Sequence, residues 1–200
     1  MLLVGLTGGL ATGKSTVGRA LASWGCHLIE ADRIGHALLA PGGAAVAAVL
    51  AEFGPELARE GGVDRQALAR IVFADPHRLA RLNEIIHPLV YEKEKELLNE
   101  WRQSDPSGLA VLEAAILIET GAHRRCQRVI LTVCPEHLQI ERAVARGGMT
   151  AEEARLRIAQ QMPLEQKRSY ADYIIETSGT LGHTLEQART VFESLRRIHS

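Results

Sequence analysis

Eight residues near the start of the chain, Gly8-Gly9-Leu10-Ala11-Thr12-Gly13-Lys14-Ser15, fit G-x-x-x-x-G-K-[ST] without a mismatch. That spacing suits a phosphate cradle. Several backbone N–H groups must point inward around one anion, and glycines allow the close approach and unusual dihedrals this needs. Lys14 would reach the β- and γ-phosphates of a nucleoside triphosphate, and the Ser15 hydroxyl would ligate Mg²⁺. The expected nucleotide-binding set is Gly8, Ala11, Thr12, Gly13, Lys14, Ser15 and Thr16. The helix that follows would add its N-terminal N–H groups and positive dipole end.

A triphosphate cradle does not say what is done with the triphosphate. Two further groups narrow the chemistry. Asp32 ends the run Glu30-Ala31-Asp32 after a short apolar stretch, Cys26 to Glu30. At the C-terminal end of a parallel strand a carboxylate sits where ligands bind in open α/β sheets. Asp32 could take the proton of a hydroxyl acceptor, align its oxygen or help hold Mg²⁺; the plain structural alternative is a helix N-cap. Glu113, ending its own apolar strand, is the rival acid. The second group is Arg142, Arg146, Arg155 and Arg157, split across a helix–Gly147-Gly148–helix hairpin. Arginines on a hairpin of that kind could close over a triphosphate, neutralise charge and exclude water. Arg142 and Arg146 lie one turn apart on one face.

The elements that must position these groups follow from the apolar pattern. Met1 to Leu6 is predicted as a buried strand, and Val17, Leu21 and Trp24 mark the helix after Lys14, stopped by Gly25. A second strand covers Cys26 to Glu30. From about 35 to 104 only helices are expected. They run from Ile34 to the Pro41-Gly42-Gly43 break, over Ala44 to Phe53, and over Arg65 to Phe73 behind an Asp64 N-cap. Pro76 would open His77 to Ile86, and Pro88 would open Leu89 to Trp101. The alternating charges Glu92 to Glu96 are expected to face solvent. Strands return at Leu109 to Glu113, Arg128 to Val133 and Tyr173 to Glu176. Between the last two lie a helix from Pro135 to about Arg146 and one opened by the capping box Thr150-x-x-Glu153, ending near Gln161-Met162-Pro163. Leu185 to Ile198 closes the chain as an amphipathic helix. The sum is an α/β, three-layer P-loop fold with a mostly parallel sheet. Its core would be 1–34 and 105–200, with a lid within about 140–165. Seventy residues of helix exceed what one crossover needs, so 35–104 is expected to be an inserted acceptor-binding subdomain.

Composition bounds the rest. Of 200 residues, 46% are hydrophobic and 24% charged, as in a globular protein. A net charge of −1 gives no basic surface for nucleic acid. No apolar run reaches membrane-span length, and the apolar N-terminus lacks the basic flank of a signal peptide. Cys26, Cys126 and Cys134 show no CxxC spacing, which suggests thiols in a reducing compartment. A cytoplasmic enzyme is the expectation.

Over nearly its whole length the sequence resembles the dephospho-coenzyme A kinase family. The P-loop run Gly5 to Ser15 is shared with many NTPases. More specific are Leu82-Asn-Glu-Ile-Ile-His-Pro88, Gln161-Met-Pro-Leu-Glu-Gln-Lys167 and Ala171-Asp-Tyr-Ile-Ile175, together with Ala31-Asp32. The resemblance implies ATP-dependent, Mg²⁺-assisted phosphorylation of the ribose 3′-hydroxyl of dephospho-coenzyme A, the last step of coenzyme A synthesis. It implies Lys14, Asp32 and Arg142 as catalytic residues, with Ser15 at the metal, Asp32 at the acceptor hydroxyl and His87 on the acceptor side; a monomer is the expectation. There are departures. Glu30-Ala31-Asp32 stands for the family's Asp-Ala-Asp, Ala115-Ile-Leu-Ile-Glu119 for Pro-Leu-Leu-Phe-Glu, and Glu176-Thr177-Ser178-Gly179 for Asp-Asn-Ser-Gly. Two other readings share the P-loop: a nucleoside or nucleotide kinase with a different acceptor pocket, and a nucleotide-hydrolysing switch. A GTPase would carry Asn-Lys-x-Asp, which this chain lacks.

Overall fold

The computed structural model describes residues 1–199. In chain order the elements are β1 (Leu2–Gly8), α1 (Lys14–Ser23), β2 (His27–Glu30), α2 (Ala31–Leu38), α3 (Val46–Phe53), β3 (Ala58–Arg59), β4 (Gly62–Val63), α4 (Arg65–Ala74) and α5 (Pro76–Ser104). There follow β5 (Leu109–Glu113), β6 (Arg128–Val133), α6 (Glu136–Ala145), α7 (Ala151–Ala159), α8 (Leu164–Arg168), β7 (Tyr173–Glu176) and α9 (Leu181–His199). The chain divides into two compact units, the first of residues 1–30 and 100–199, the second Ala31–Asn99.

In the first unit five strands form a sheet in the order β2-β5-β1-β6-β7, every pairing parallel. β1 is central, and all seven of its residues are buried. That explains its continuous apolar run, since a parallel sheet covered on both faces has no polar side. Leu2, Val4 and Leu6 point to one face, where Val17 and Leu21 of α1 meet Ala188, Val191, Phe192 and Leu195 of α9. Burying a side chain such as Leu21 contributes about 1.5–3 kcal/mol. Trp24 packs at the rim of this cluster, its ring 5.6 Å from that of Phe192. Gly5 faces the other side, where Leu117 lies so close that a Cβ would come within 2.5 Å of its Cδ2.

The strand order reverses beside β1. β5 and β2 lie on one side, β6 and β7 on the other, and the chain leaves β1 at Gly8, in register with Thr132. Such a reversal opens the crevice in which open α/β sheets bind ligands.

The second unit holds its own core of Leu39, Val49, Phe53, Leu57, Leu68 and Val72. Asp64 caps α4 as expected, its Oδ1 accepting from Gln66 and Ala67 N–H groups at 3.0 Å each. Three sequence expectations are corrected here. Pro88 does not open a new helix but sits inside α5, which runs unbroken for 29 residues. Leu82, Ile85, Ile86 and Leu89 on both sides of it pack against the same core, and that shared packing outweighs the lost N–H. Glu94 is buried at 4% exposure rather than solvated, unlike its neighbours in the charge run. The expectation of helices alone also fails in detail, because β3 and β4 form a two-residue antiparallel pair.

Candidate active site

The P-loop curls from Gly8 into α1 through a backbone that few residues adopt. Gly13, the residue before the helix, has φ +89°, and Ala11 at the crest has φ +53°. The first is a conformation that glycine takes at little steric cost, whereas Ala11 is held there against its preference. What holds it is packing: Ala11 is buried against Ala143 of α6 and Ala154 of α7.

Lys14 is the buried cation of the loop. Its Nζ donates to the carbonyl oxygens of Gly8 and Gly9 at 3.1 and 2.9 Å. The ammonium therefore lies inside the turn that the motif was expected to wrap around phosphate. Thr12 Oγ1 lies 2.8 Å from Thr132 Oγ1, tying the loop to β6. Ser15 Oγ donates to Glu113 Oε1 at 2.7 Å. Glu113 is buried at the end of β5, paired in register with Leu6 of β1 and Glu30 of β2.

The donor set is one hydroxyl oxygen and one carboxylate, with a second carboxylate, Glu30, in the next strand. Hard oxygen ligands of this number suit Mg²⁺, which keeps several waters or phosphate oxygens beside one or two protein groups. Ser15 and Glu113 thus fit the metal implied by the motif. The rival acid of the sequence reading is the one bonded to Ser15.

On the other side of the loop, Arg142 of α6 donates from Nη2 to the Thr177 carbonyl at 2.6 Å and from Nη1 to Thr177 Oγ1 at 3.4 Å. The Thr177 hydroxyl lies 2.8 Å from the Thr12 carbonyl and 3.1 Å from that of Val133. Its single proton serves these carbonyls while its lone pairs face the guanidinium. Arg142 and Arg146 line a cleft of about 170 Å³ with Ala11, Gly13, Thr16 and Thr177. Arg155 lies elsewhere, on a shallow apolar groove beside Ile140 and Val144, and neither it nor Arg157 lines the cleft. Only the first two of the four lid arginines are brought to the P-loop. Burial raises the Cys134 thiol above its ordinary pKa, with the nearby Arg142 guanidinium acting against it.

Asp32 and His87 belong to the second unit. α2 begins at Ala31, which puts Asp32 in its first turn rather than at its cap. The Asp32 side chain is exposed and makes no hydrogen bond among the described residues. His36, one turn on, is held below the usual histidine pKa by burial and by Arg65, and Asp32 opposes this. His87 is half-buried in α5, and burial lowers its pKa against the pull of the Glu94 carboxylate.

One residue at the site escaped the sequence reading, and three others entered it only as parts of family-like runs. Gly18 sits inside α1 because Glu113 lies over it: a Cβ would come within 2.6 Å of Glu113 Oε2. A glycine mid-helix, one turn after the motif lysine, was a legible signal of close approach. Gln161, Glu119 and Lys167 also touch the loop or its neighbours, through contacts between segments far apart in sequence.

The dephospho-CoA kinase family model matches residues 2–183. A dephospho-CoA kinase of Thermobifida fusca is 43% identical over 202 residues, covering all of both chains. A Thermus thermophilus protein of solved structure superposes with a TM-score of 0.79 at 33% identity, covering 97% of each chain. The dephospho-CoA kinase of Campylobacter jejuni shares the fold, with a TM-score of 0.71 at 24% identity over 99% of this chain and 98% of that one. A phosphate cradle at the reversal of a parallel sheet, an acid bonded to its serine and full-length matches of this kind lead to one conclusion: the chain belongs to the dephospho-CoA kinase family, the P-loop kinases of the final step of coenzyme A biosynthesis.

Proposed function

We propose that this chain transfers the γ-phosphoryl group of ATP to the ribose 3′-hydroxyl of dephospho-coenzyme A, with Mg²⁺, as a cytoplasmic monomer. The observation that carries the reading is the Lys14 ammonium held in the turn of the loop by the Gly8 and Gly9 carbonyls. A cation in that place exchanges two neutral carbonyls for the β- and γ-phosphate oxygens, a stronger charge-assisted set. Ser15 and Glu113 would hold Mg²⁺, which supplies charge neutralisation across the two phosphates when bound. Residues of the 1–30 and 100–199 unit thus bind and orient the nucleotide.

In the transfer itself the 3′-oxygen attacks the γ-phosphorus, the bond to the β-γ bridging oxygen breaks, and ADP leaves. Asp32, two residues beyond the end of β2 and free of protein hydrogen bonds, accepts the hydroxyl proton. Arg142 leaves the Thr177 carbonyl for the equatorial oxygens as their charge redistributes. His87 contributes to the acceptor side of the Ala31–Asn99 unit. No helix among the described residues is long and apolar enough to cross a membrane.

The test is ADP release from ATP with and without dephospho-coenzyme A. ADP should form in step with coenzyme A and only when the acceptor is present. Equal ADP release without acceptor would make the protein a hydrolytic switch, and transfer to a nucleoside in preference would assign a different kinase.

A further inference from the structure

The corner between α7 and α8, Gln161-Met162-Pro163, is bonded into the P-loop, and no step proposed above uses it. Gln161 Oε1 accepts the backbone N–H of Leu10 at 2.9 Å, one residue before the strained Ala11. Four residues after the corner's proline, Lys167 is wholly buried, a costly place for an ammonium unless every proton is met. Its Nζ donates to the Ala115 carbonyl at 2.7 Å and lies 2.9 Å from Glu119 Oε1. The same Glu119 oxygen accepts the Met162 N–H at 3.0 Å, closing the set back onto the corner. Ala115 stands two residues beyond Glu113, the acid bonded to Ser15.

One short segment therefore holds two parts of the nucleotide site. Through Gln161 it fixes the crest of the P-loop, and through Lys167 it fixes the chain leaving β5 just past Glu113. The Leu10 N–H is committed to Gln161 and so is not open to phosphate. The Ala11–Ala143–Ala154 cluster presses the same crest against α6 and α7. The Gly9–Leu10 peptide unit is thus held at both ends, its carbonyl by Lys14 and its N–H by Gln161.

We infer that Gln161 and Lys167, the latter through Glu119 and Ala115, are positioning residues that preset the P-loop crest and the Glu113 strand end for a nucleoside triphosphate. The inference rests on the reading of ATP as the nucleotide but not on the identity of the acceptor.

The experiment measures ATP affinity by calorimetry, steady-state turnover, acceptor KM and the thermal midpoint on the full chain. Gln161→Met keeps the side-chain length and removes the acceptor oxygen. ATP affinity should fall about tenfold, the scale of one lost buried hydrogen bond, while acceptor KM and midpoint stay near wild type. Lys167→Met alone leaves a carboxylate without its cation and risks unfolding. The paired variant Lys167→Met with Glu119→Leu removes both charges and keeps the volume apolar. It should recover the midpoint but not the ATP affinity, and combining it with Gln161→Met should cost less than the two losses added, since both act through the one corner segment. Wild-type ATP affinity in Gln161→Met or in the paired variant would overturn the inference. So would a loss in which midpoint, ATP affinity and acceptor KM all move together, because that is a structural role only. If wild type binds ATP and the variants weaken it, but no phosphoryl transfer to dephospho-coenzyme A occurs, the proposed function fails and the positioning role stands.

Discussion

Ser15 Oγ donates to Glu113 Oε1 across 2.7 Å, joining residues 98 positions apart and linking the first turn of α1 to the end of β5. A hydroxyl and a carboxylate in contact are the kind of hard oxygen pair that Mg²⁺ takes as ligands. Glu113→Gln keeps the size and one acceptor oxygen but removes the charge that would hold Mg²⁺. The Mg²⁺ concentration for half-maximal activity should rise roughly ten- to a hundredfold, the usual cost of altering a group that orients a metal ligand. A metal titration of turnover checks this. An unchanged midpoint in Mg²⁺ would leave Glu113 with a purely structural part.

Gly18→Ala tests the same pair from the side. Alanine is the better helix former by about 1 kcal/mol, so the fold should survive with its midpoint nearly unchanged. The new methyl meets the Glu113 carboxylate within 2.6 Å and Leu28 and Leu6 within 3.4 Å. The flexible carboxylate must yield, and with it the bond to Ser15. A raised Mg²⁺ requirement of the kind expected for Glu113→Gln, with an intact melt, is the outcome; lost folding instead would place the strain in the leucines.

Arg142→Ala should lower turnover on the order of a hundredfold while ATP affinity changes only a few-fold. The guanidinium now rests on the Thr177 carbonyl, so it contributes its charge only once it is released toward the reacting phosphate. Separate measurement of binding and turnover decides. Weaker ATP binding at wild-type turnover would make Arg142 a ground-state anchor.

Asp32→Asn should leave ATP binding and melting temperature close to wild type. Turnover should fall roughly a hundredfold to ten-thousandfold, as for a lost general base. The capping alternative is weakened by the structure, because Asp32 lies within the first turn of α2 and caps no N–H group. One steady-state assay with a melt beside it is sufficient, and activity within a few-fold of wild type would move the base elsewhere.

Stability near neutral pH should depend on His87. Burial holds its folded pKa below the ordinary histidine value, which is about 6.5 for an exposed histidine. The unfolded chain thus binds the proton first as pH falls. The contribution is fully present above pH about 6.5 and is lost as pH drops toward the folded pKa. The melting temperature should decline between pH 7.5 and 5.5, and His87→Gln should flatten that decline. Equal slopes would assign the loss to other groups, His36 first, since its pKa is lowered in the same way.

Much of the fold was legible because its signals are local. The P-loop, the Asp64 cap and the Thr150–Glu153 capping box each span a few residues, and each is present. β5, β6 and β7 fall at the expected residues. What stayed hidden depends on distant partners. Pro88 reads locally as a helix start, and only the core that Ile85 and Leu89 share keeps α5 whole. The buried state of Glu94 and the Lys167–Glu119 pair is equally invisible to a window of neighbours. α8, five residues long, is too short to show a period.

The central place of β1 carries a consequence for how the molecule is made. It is the first strand to be synthesised, yet its two hydrogen-bonding neighbours are β5 and β6. One edge cannot be fully paired until residue 113 has been added, and the other not until residue 132. The nascent chain thus carries an unpaired, largely apolar segment through much of translation, while the Ala31–Asn99 unit, continuous in sequence, needs nothing made later to complete its internal contacts. Non-local parallel pairing of this order is slow and leaves strand edges exposed to other chains. The strand that presents the phosphate cradle is also the one most dependent on help during biosynthesis.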